Sequence, residues 1–172
     1  MAGTIAAAMT GGVQSNYGCG TTIKHFACNN QEDNRMGSDC IVSERTIREL
    51  YLKGFEIAVK ESQPLSIMTS YNLIDGVHAA NNHDLCTDVA RNEWGFKGMI
   101  MTDWTTTERD DSCTAFGCMR AGNDLVMPGC FGDHDNMKKE LAEGTLKLED
   151  LKACIARPVS VIWKSNQYEE SK

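Results

Sequence analysis

A carboxylate and an indole follow a short apolar run in the segment 98–104, which reads Gly-Met-Ile-Met-Thr-Asp-Trp. A parallel strand buried on both faces is a continuous apolar run, so this segment predicts a short buried strand. Asp103 would then lie at the C-terminal end of that strand, where α/β sheets build their sites. A carboxylate there could attack an electrophilic carbon or stabilise a cationic centre. Alternatively, Asp103 could serve only as the N-cap of the element that begins near Thr105.

Polar and aromatic side chains also follow the other predicted strands. These groups are Lys24 and His25, Met68 and Tyr71, Asp103 and Trp104, and Asn123 with Asp124. A cation, an imidazole, a phenol, a carboxylate and an indole suit a neutral polyhydroxylated ligand, because the polar groups bind hydroxyls and the indole stacks on a sugar ring. Taken singly, each has a structural explanation, such as capping for His25 or core packing for Met68. Their joint placement favours a binding pocket.

The elements that position these residues alternate between helix and strand. We predict strands over 21–26, 65–71, 98–103 and 124–127, and helices over 2–14, 43–61, 84–94, 113–121, 134–143 and 148–165. Ser43 is the expected N-cap of the second helix, and Pro158 is expected to kink or split the last one. Such alternation is typical of parallel β/α architecture. A closed eight-stranded barrel takes about 250 residues. The chain is therefore a small open-sheet domain or part of a barrel, and the uncapped first helix favours the barrel.

Composition limits the function classes. A net charge of −7 argues against nucleic-acid and anionic-membrane partners, and no apolar run is long enough to span a bilayer. The first positive residue is Lys24, so the N-terminus lacks the basic start of a secretory signal and a cytoplasmic location is expected. Eight cysteines without a Cys-x-x-Cys pair predict free thiols rather than a zinc site or a disulfide framework.

An ordered set of motifs identifies a family. The set comprises Lys-His-Phe at 24–26, Ser-Glu-Arg at 43–45, Tyr-Leu at 51–52, Met-Thr-Ser-Tyr-Asn at 68–72, Asn-Glu-Trp-Gly-Phe-Lys-Gly at 92–98, Thr-Asp-Trp at 102–104, Ala-Gly-Asn-Asp at 121–124 and Met-Pro-Gly at 127–129. Together they closely resemble the barrel domain of glycoside hydrolase family three, β-glucosidase branch, from about residue 6 to 161. The resemblance implies an α/β fold: a partial (β/α)8 TIM-type barrel, about its C-terminal half, with 1–172 as a single partial domain.

The resemblance also implies an activity. It is that of a retaining, exo-acting β-glycosidase, which hydrolyses terminal non-reducing β-D-glucosyl residues through a covalent glycosyl-aspartate intermediate. Asp103 matches the nucleophile of the family, and Lys24 is expected to favour its ionised form. The substrates implied are β-linked glucosides or cello-oligosaccharides, and no metal or organic cofactor is expected. The positions that match substrate-binding residues are Lys24, His25, Met68, Tyr71 and Trp104.

Neighbouring branches of the family are separated by the segment after Lys-His-Phe. The β-N-acetylhexosaminidases continue with Pro-Gly-His-Gly, whereas 27–35 here reads Ala-Cys-Asn-Asn-Gln-Glu-Asp-Asn-Arg. A β-xylosidase remains an alternative within the glucosidase-like branch.

The chain also departs from the family pattern. The early barrel strands and the α/β-sandwich domain, which usually supplies the acid/base glutamate, are not matched. The loop carboxylates Glu32, Glu108, Asp110 and Asp111 could substitute, although each is more simply a surface charge. A half-barrel would expose a strand edge, so self-association through that edge is expected. A second functional hypothesis is therefore a non-catalytic carbohydrate-binding or structural remnant, and the isolated chain is expected to be weakly active.

Overall fold

A parallel sheet runs through the centre of the computed structural model, which describes residues 1–108 and 112–166. The strands are β1 (Thr22–Phe26), β2 (Asp39–Cys40), β3 (Ser66–Thr69), β4 (Leu73–Ile74), β5 (Val77–His78) and β6 (Met99–Met101). The α-helices are α1 (Ala2–Gln14), α2 (Glu44–Thr46), α3 (Lys53–Ser62), α4 (Ala115–Ala121), α5 (Phe131–Glu143) and α6 (Leu148–Trp163). Wider π-type turns form Ile47–Tyr51 and Asp84–Glu93, and single 3₁₀ turns form Ala79–Asn81 and Thr106–Glu108.

The central sheet has the order β1-β3-β6, and every pair in it is parallel. Leu125 extends the sheet by one parallel bridge to Met101. Each strand is followed along the chain by helical segments, so the parallel α/β fold class predicted from the sequence is confirmed. A second, small sheet of order β2-β4-β5 joins the loop after β1 to the connection after β3.

The helices begin and end where side-chain chemistry dictates. The Ser43 hydroxyl accepts a hydrogen bond from the Thr46 N–H, which confirms Ser43 as an N-cap. Helix α1 begins at Ala2, and its N-cap residue Met1 makes no side-chain capping hydrogen bond, also as predicted. Gly122 ends α4 in the left-handed conformation, with φ of 81°, which glycine adopts at little cost.

Two apolar clusters form the core. The larger one packs β1, β3 and β6 against the flanking helices through residues such as Phe26, Ile67 and Ile100, none of which is exposed. The smaller one joins α4 to α6 through Cys118, Leu146 and Cys154. The buried face of the sheet therefore supports the ends of its strands as a rigid platform.

Two predicted elements differ in the structure. The strand predicted over 124–127 is reduced to the single bridge at Leu125, because the N–H of Met127 donates to the Thr102 hydroxyl rather than continuing the ladder. Helix α6 continues through Pro158 as one element, so of the predicted kink or split the split does not occur. Tertiary contacts of the turn before this position support the helix, since Cys154 is buried and Arg157 binds Asp124.

The strands of the small sheet were not predicted at all. Each contains only two residues, which is too short to show a hydrophobic period. Within the described part of the chain, no helix is both long enough and apolar enough to cross a membrane. All eight cysteines carry free thiols in the structure.

Candidate active site

The C-terminal ends of β1 and β6 bring an imidazole and a carboxylate together. His25 is the fourth residue of β1, and Asp103 follows β6 by two positions. The His25 Nε2 atom lies 3.3 Å from the Asp103 Oδ2 atom, and the two side chains are 26% and 14% exposed. Both groups therefore remain accessible to a ligand from the end of the sheet while most of their surface is held by protein.

The environment of His25 favours its neutral form. Burial is the main cause that lowers its pKa, and the charges of Lys24 and Arg35 lower it further. The charges of Asp103 and Glu32 act in the opposite direction but do not reverse the shift. A neutral imidazole with its proton on Nε2 can donate a hydrogen bond to the Asp103 carboxylate without adding a positive charge to the site.

The segment after β6 is fixed through its main chain. The Tyr71 hydroxyl donates to the Trp104 carbonyl oxygen at 2.9 Å, and the Thr106 hydroxyl donates to the Asp103 carbonyl oxygen at 3.0 Å. Tyr71 itself is 5% exposed, whereas Trp104 is 59% exposed. The peptide units around Asp103 are thus anchored, and the indole beside it presents a face that a sugar ring could cover.

Buried polar groups beneath the site connect neighbouring strand ends. The Asn123 amide donates to the Thr69 hydroxyl at 3.2 Å, and that hydroxyl donates to the Met101 carbonyl oxygen at 3.3 Å. Asn123 and Thr69 are fully buried. Because hydrogen bonds in a buried network hold a defined geometry, they set the spacing between the ends of β3 and β6.

Asp124 belongs to a structural ion-pair network. Its carboxylate accepts from Arg91 and from Arg157 at 2.6 Å each, and from the Ile100 N–H at 2.8 Å. The sequence placed Asp124 among the groups at strand ends that could meet a ligand. The structure shows instead that it fastens β6 to two helical segments.

The other sequence-predicted residues lie around the His25–Asp103 pair. Lys24 is exposed beside His25, and Met68 is half-buried in β3, paired with Met101. Lys24 was expected to be the charged neighbour of Asp103. In the described part of the chain, the group that contacts the Asp103 carboxylate is the His25 imidazole.

Sequence reasoning missed Arg35. Its guanidinium carbon lies 4.8 Å from the centroid of the Tyr71 ring, and its Nη1 atom lies 3.0 Å from Glu32 Oε2. Nothing in the loop 27–38 indicated this contact, because it joins residues that are distant in sequence. Glu32, which was considered as a substitute acid, is therefore the ion-pair partner of Arg35.

Three other carboxylates, Glu108, Asp110 and Asp111, were considered as substitute acids in the sequence. Glu108 lies with the Cys130 thiol and the Asp133 carboxylate in a group whose ligand atoms are within 4.8 Å of one another. Asp110 and Asp111 lie outside the described residues. A second group of similar size contains His83, Asp84 and Asp88. Each group contains exposed acidic residues, which by themselves give no reason to place a metal ion.

Comparison with known proteins assigns the chain to a family. Residues 1–161 match the family described as "Glycosyl hydrolase family 3 N terminal domain". This chain belongs to glycoside hydrolase family 3. Membership in the family confirms the resemblance seen in the motifs, including their placement in the β-glucosidase branch.

Named relatives of this family 3 chain include enzymes of two specificities. It is 47% identical over 129 residues to β-glucosidase B of Emericella nidulans. That alignment covers 75% of this chain and 15% of the relative. It is also 47% identical over 133 residues to an exo-α-(1→6)-L-arabinopyranosidase of Bifidobacterium breve, covering 77% of this chain and 17% of the relative.

A solved structure supports the fold over almost the whole family 3 chain. Beta-glucosidase 3B from Thermotoga neapolitana, in complex with glucose, is 42% identical and aligns with a TM-score of 0.88. The alignment covers 96% of this chain and 23% of that protein. The partial-barrel architecture is thereby confirmed, and this chain spans less than a quarter of the length of that relative.

Proposed function

We propose that this family 3 chain carries the nucleophile side of a retaining β-glucosidase site. Asp103 attacks the anomeric carbon of a terminal β-D-glucosyl residue, and the bond from that carbon to the leaving oxygen breaks. The product is a glycosyl-aspartate, which water then hydrolyses. Support comes from the named β-glucosidase relatives and from the relative that is solved with glucose.

The observation that carries this proposal is the contact between His25 and Asp103 at the ends of β1 and β6. A carboxylate, the type of group that a retaining nucleophile requires, thus lies beyond the C-terminal end of β6 and next to the exposed indole of Trp104, which supports the proposal. In the proposed complex, Lys24 and His25 bind sugar hydroxyls, Met68 and Tyr71 form the wall of the pocket, and Trp104 stacks on the ring.

A retaining mechanism needs a second carboxyl group about 5–5.5 Å from the first. Of the carboxylates considered from the sequence and described by the structure, Glu32 binds Arg35 and Glu108 lies beside Asp133. We therefore propose that the acid/base group comes from outside this part of the barrel. Loss of general acid assistance typically costs a factor of about 10²–10⁴, so turnover by the 172-residue chain is expected to be slow.

The decisive experiment traps the intermediate. The chain is incubated with 2-deoxy-2-fluoro-β-D-glucosyl fluoride, in which fluoride leaves without acid assistance, and the modified peptide is identified by mass spectrometry. We expect one fluoroglucosyl group on Asp103 and none on the Asp103→Asn variant. Asp88→Asn, an exposed carboxylate in the Asp84–Glu93 segment, serves as the matched control and is expected to be labelled like the wild type. Labelling of another residue, or no labelling, would refute the proposal.

Two alternatives have distinct signatures. A carbohydrate-binding remnant would bind glucose, detected by NMR titration, without forming the covalent adduct. The second alternative is a different sugar specificity. The arabinopyranosidase relative raises an α-L-arabinopyranoside as a candidate substrate, and the β-xylosidase hypothesis raises a β-D-xyloside. Initial rates with the 4-nitrophenyl β-D-glucoside, β-D-xyloside and α-L-arabinopyranoside distinguish these, and we expect the glucoside to be fastest.

We further propose that the open sheet edges support pairing with a second copy of the chain. Within the described residues β1 pairs with one neighbour, and an apolar stripe of Ile5, Met9 and Val13 is exposed on the adjacent α1. Two copies, each with three parallel strands and the bridge at Leu125, would together supply eight positions around a closed barrel. Light scattering should show a dimer that Met9→Glu dissociates, whereas a monomer at every concentration would refute the pairing.

A further inference from the structure

We infer that Cys113 and Cys118 form a redox-active pair, in which oxidation by a small-molecule disulfide converts an apolar contact at the start of α4 into a disulfide bond. The inference rests on the positions of the two thiols in the helix and on the hydrogen-bond acceptor that they share. It does not depend on the proposed glycosidase function, so the two proposals are tested by different measurements.

The two cysteines occupy the positions of a helix-capping motif. Thr114 is the N-cap of α4, and its hydroxyl accepts a hydrogen bond from the Gly117 N–H. Cys113 therefore stands directly before the cap, and Cys118 is the fourth residue of the helix. Side chains at these two positions often pack against each other as a hydrophobic staple. Because this pairing belongs to the start of the helix, formation of α4 brings the two thiols together.

The two thiols are close to each other, buried and bound to one acceptor. Their Sγ atoms lie 3.9 Å apart, and Cys113 and Cys118 are 1% and 0% exposed. Asn81 Oδ1 accepts from Cys113 Sγ at 3.3 Å and from Cys118 Sγ at 3.2 Å. A disulfide needs an S–S distance of about 2.05 Å, so each sulfur has to move by only about an ångström.

Burial controls the rate of this reaction. A hydrogen bond with Cys113 and burial raise the pKa of Cys118, so its thiolate, which is the reacting form, is scarce in the folded chain. The start of α4 must open locally before a reagent can reach either sulfur. Oxidation is therefore expected to be slow, and the buried disulfide should resist reduction for the same reason.

The exchange with oxidised glutathione is balanced in two steps. After local opening, the Cys113 thiolate attacks one sulfur of oxidised glutathione, and one reduced glutathione leaves. The Cys118 thiolate then attacks the Cys113 sulfur of this mixed disulfide, and a second reduced glutathione leaves. The cysteine pair loses two electrons and two protons, and the glutathione disulfide gains them.

Asn81 favours the reduced state of the pair. A disulfide has no S–H group, so oxidation removes both of the thiol donors that Asn81 Oδ1 has in the reduced chain. The Asn81 Nδ2 atom donates to the Thr114 hydroxyl, which holds the amide in this orientation. Asn81→Ala should therefore shift the equilibrium toward the disulfide. Asn136→Ala is the matched control, because Asn136 Oδ1 accepts from the Phe116 N–H at the start of the same helix.

The first experiment measures the redox equilibrium by peptide mapping. The reduced chain is equilibrated in mixtures of reduced and oxidised glutathione and quenched with acid, and free thiols are blocked with N-ethylmaleimide in urea. Residues 110–120 form one tryptic peptide that contains both cysteines, so the disulfide lowers its mass by two hydrogens and prevents its alkylation. A higher value of [GSH]²/[GSSG] at half-oxidation means a more stable disulfide.

We expect this value to be at least about tenfold higher for the folded chain than for the chain in concentrated urea. Asn81→Ala should raise the value of the folded chain about fivefold, and Asn136→Ala should change it less than about twofold. A value for the folded chain that is equal to or below the value in urea would overturn the inference. Accumulation of glutathione mixed disulfides in place of the internal bond would also overturn it.

The second experiment uses the linkage between oxidation and folding. If the disulfide is at least about tenfold more stable in the folded chain, it must raise the folding equilibrium constant by the same factor. Urea unfolding of the isolated oxidised and reduced chains, followed by circular dichroism, should show this difference. Cys118→Ala should lose it, and Cys19→Ala, which removes an exposed thiol, should keep it. An oxidised chain that is no more stable than the reduced chain would refute the pair.

Discussion

His25 Nε2 and Asp103 Oδ2 lie 3.3 Å apart, although the two residues are far apart in the sequence and strand β3 lies between them along the chain. The contact joins the end of β1 to the segment after β6, and β3 lies between those strands. A group that titrates on one strand can therefore control the charge around the proposed nucleophile on another.

The pH dependence of stability should reveal this coupling. The pKa of His25 is lowered in the folded chain relative to about 6.5 in an unfolded one, so the unfolded state binds more protons as the pH falls below that value. The contribution of neutral His25 is fully present above pH 6.5 or so and is lost as the pH falls through the folded pKa. Urea midpoints between pH 7.5 and 5 should therefore fall more steeply for the wild type than for His25→Gln.

His134→Gln, an exposed imidazole on α5, is the control for that measurement. The same titration should limit activity on the acid side, because a protonated His25 would pair tightly with Asp103 and reduce its nucleophilicity. The charged groups that act on His25 are Asp103, Lys24, Arg35 and Glu32. An acid limb of kcat/KM that is unchanged by Lys24→Met and Arg35→Met would contradict this interpretation.

Removal of the Asp124 carboxylate should destabilise the fold severely. The side chains of Asp124 and Arg91 are 0% and 10% exposed, and Arg157 completes the network. Breaking a buried pair leaves an uncompensated charge and costs about 3–5 kcal/mol. We expect Asp124→Ala to lower the unfolding free energy in urea by that amount.

Glu49→Gln is the matched comparison for Asp124→Ala, because it breaks an exposed ion pair with Arg45. Exposed pairs of this spacing contribute about 0.3–0.5 kcal/mol. Similar losses for the two variants would mean that the Asp124 network is not the anchor of β6 that its geometry indicates.

Thiol reactivity should separate the cysteines into two groups. Burial raises the pKa of Cys28, Cys86 and Cys154 to about 12 each, and only the thiolate reacts with iodoacetamide. Cys19 and Cys130 are exposed. In peptide mass spectrometry at pH 8, these two should be alkylated first, and all eight should react in urea. Equal rates for Cys86 and Cys19 in the native chain would contradict the packing of the core.

The exposed indole of Trp104 should report ligand binding. Trp104 is 59% and Trp163 62% exposed, whereas Trp94 is 7% exposed. Glucose that stacks on Trp104 should shift its fluorescence emission, and this change should persist in Trp163→Phe but vanish in Trp104→Phe. Trp104→Ala should weaken glucose binding about fivefold, on the order of 1 kcal/mol for one aromatic contact. An unchanged glucose affinity in Trp104→Ala would place the sugar elsewhere.

The sequence was sufficient for the features that local chemistry determines. The apolar run at 99–101 ends in Asp103 as predicted, and the Ser43 cap and the glycine stop at Gly122 are where their residue types place them. The length of the strand predicted over 124–127 was overestimated, because the choice of Thr102 as acceptor for the Met127 N–H is tertiary. The split expected at Pro158 does not occur, and the reason is also tertiary, since Cys154 and Arg157 in the preceding turn are held by contacts with other elements.

The candidate site was predictable only in part. Parallel strands place their C-terminal ends together, so the grouping of Lys24, His25, Tyr71 and Asp103 followed from strand order. The sequence did not predict whether Lys24 or His25 would contact Asp103. Successive side chains of a strand point in different directions, and the sequence does not specify which of the two directions faces Asp103. Arg35 was missed for the same reason: its partner Tyr71 is brought to it by the fold and carries no local signal.

The order of the central sheet has a consequence for how the chain is made. Because β1, β3, β6 and Leu125 lie side by side in the order in which they are synthesised, each new strand finds its partner already present on the ribosome. Assembly can then proceed in one direction as translation advances, since domains form from the N-terminal side during synthesis. The growing edge of the sheet is the one that the next segment completes, so pairing of that edge with another nascent chain is limited to a short interval, whereas the edge at β1 stays open.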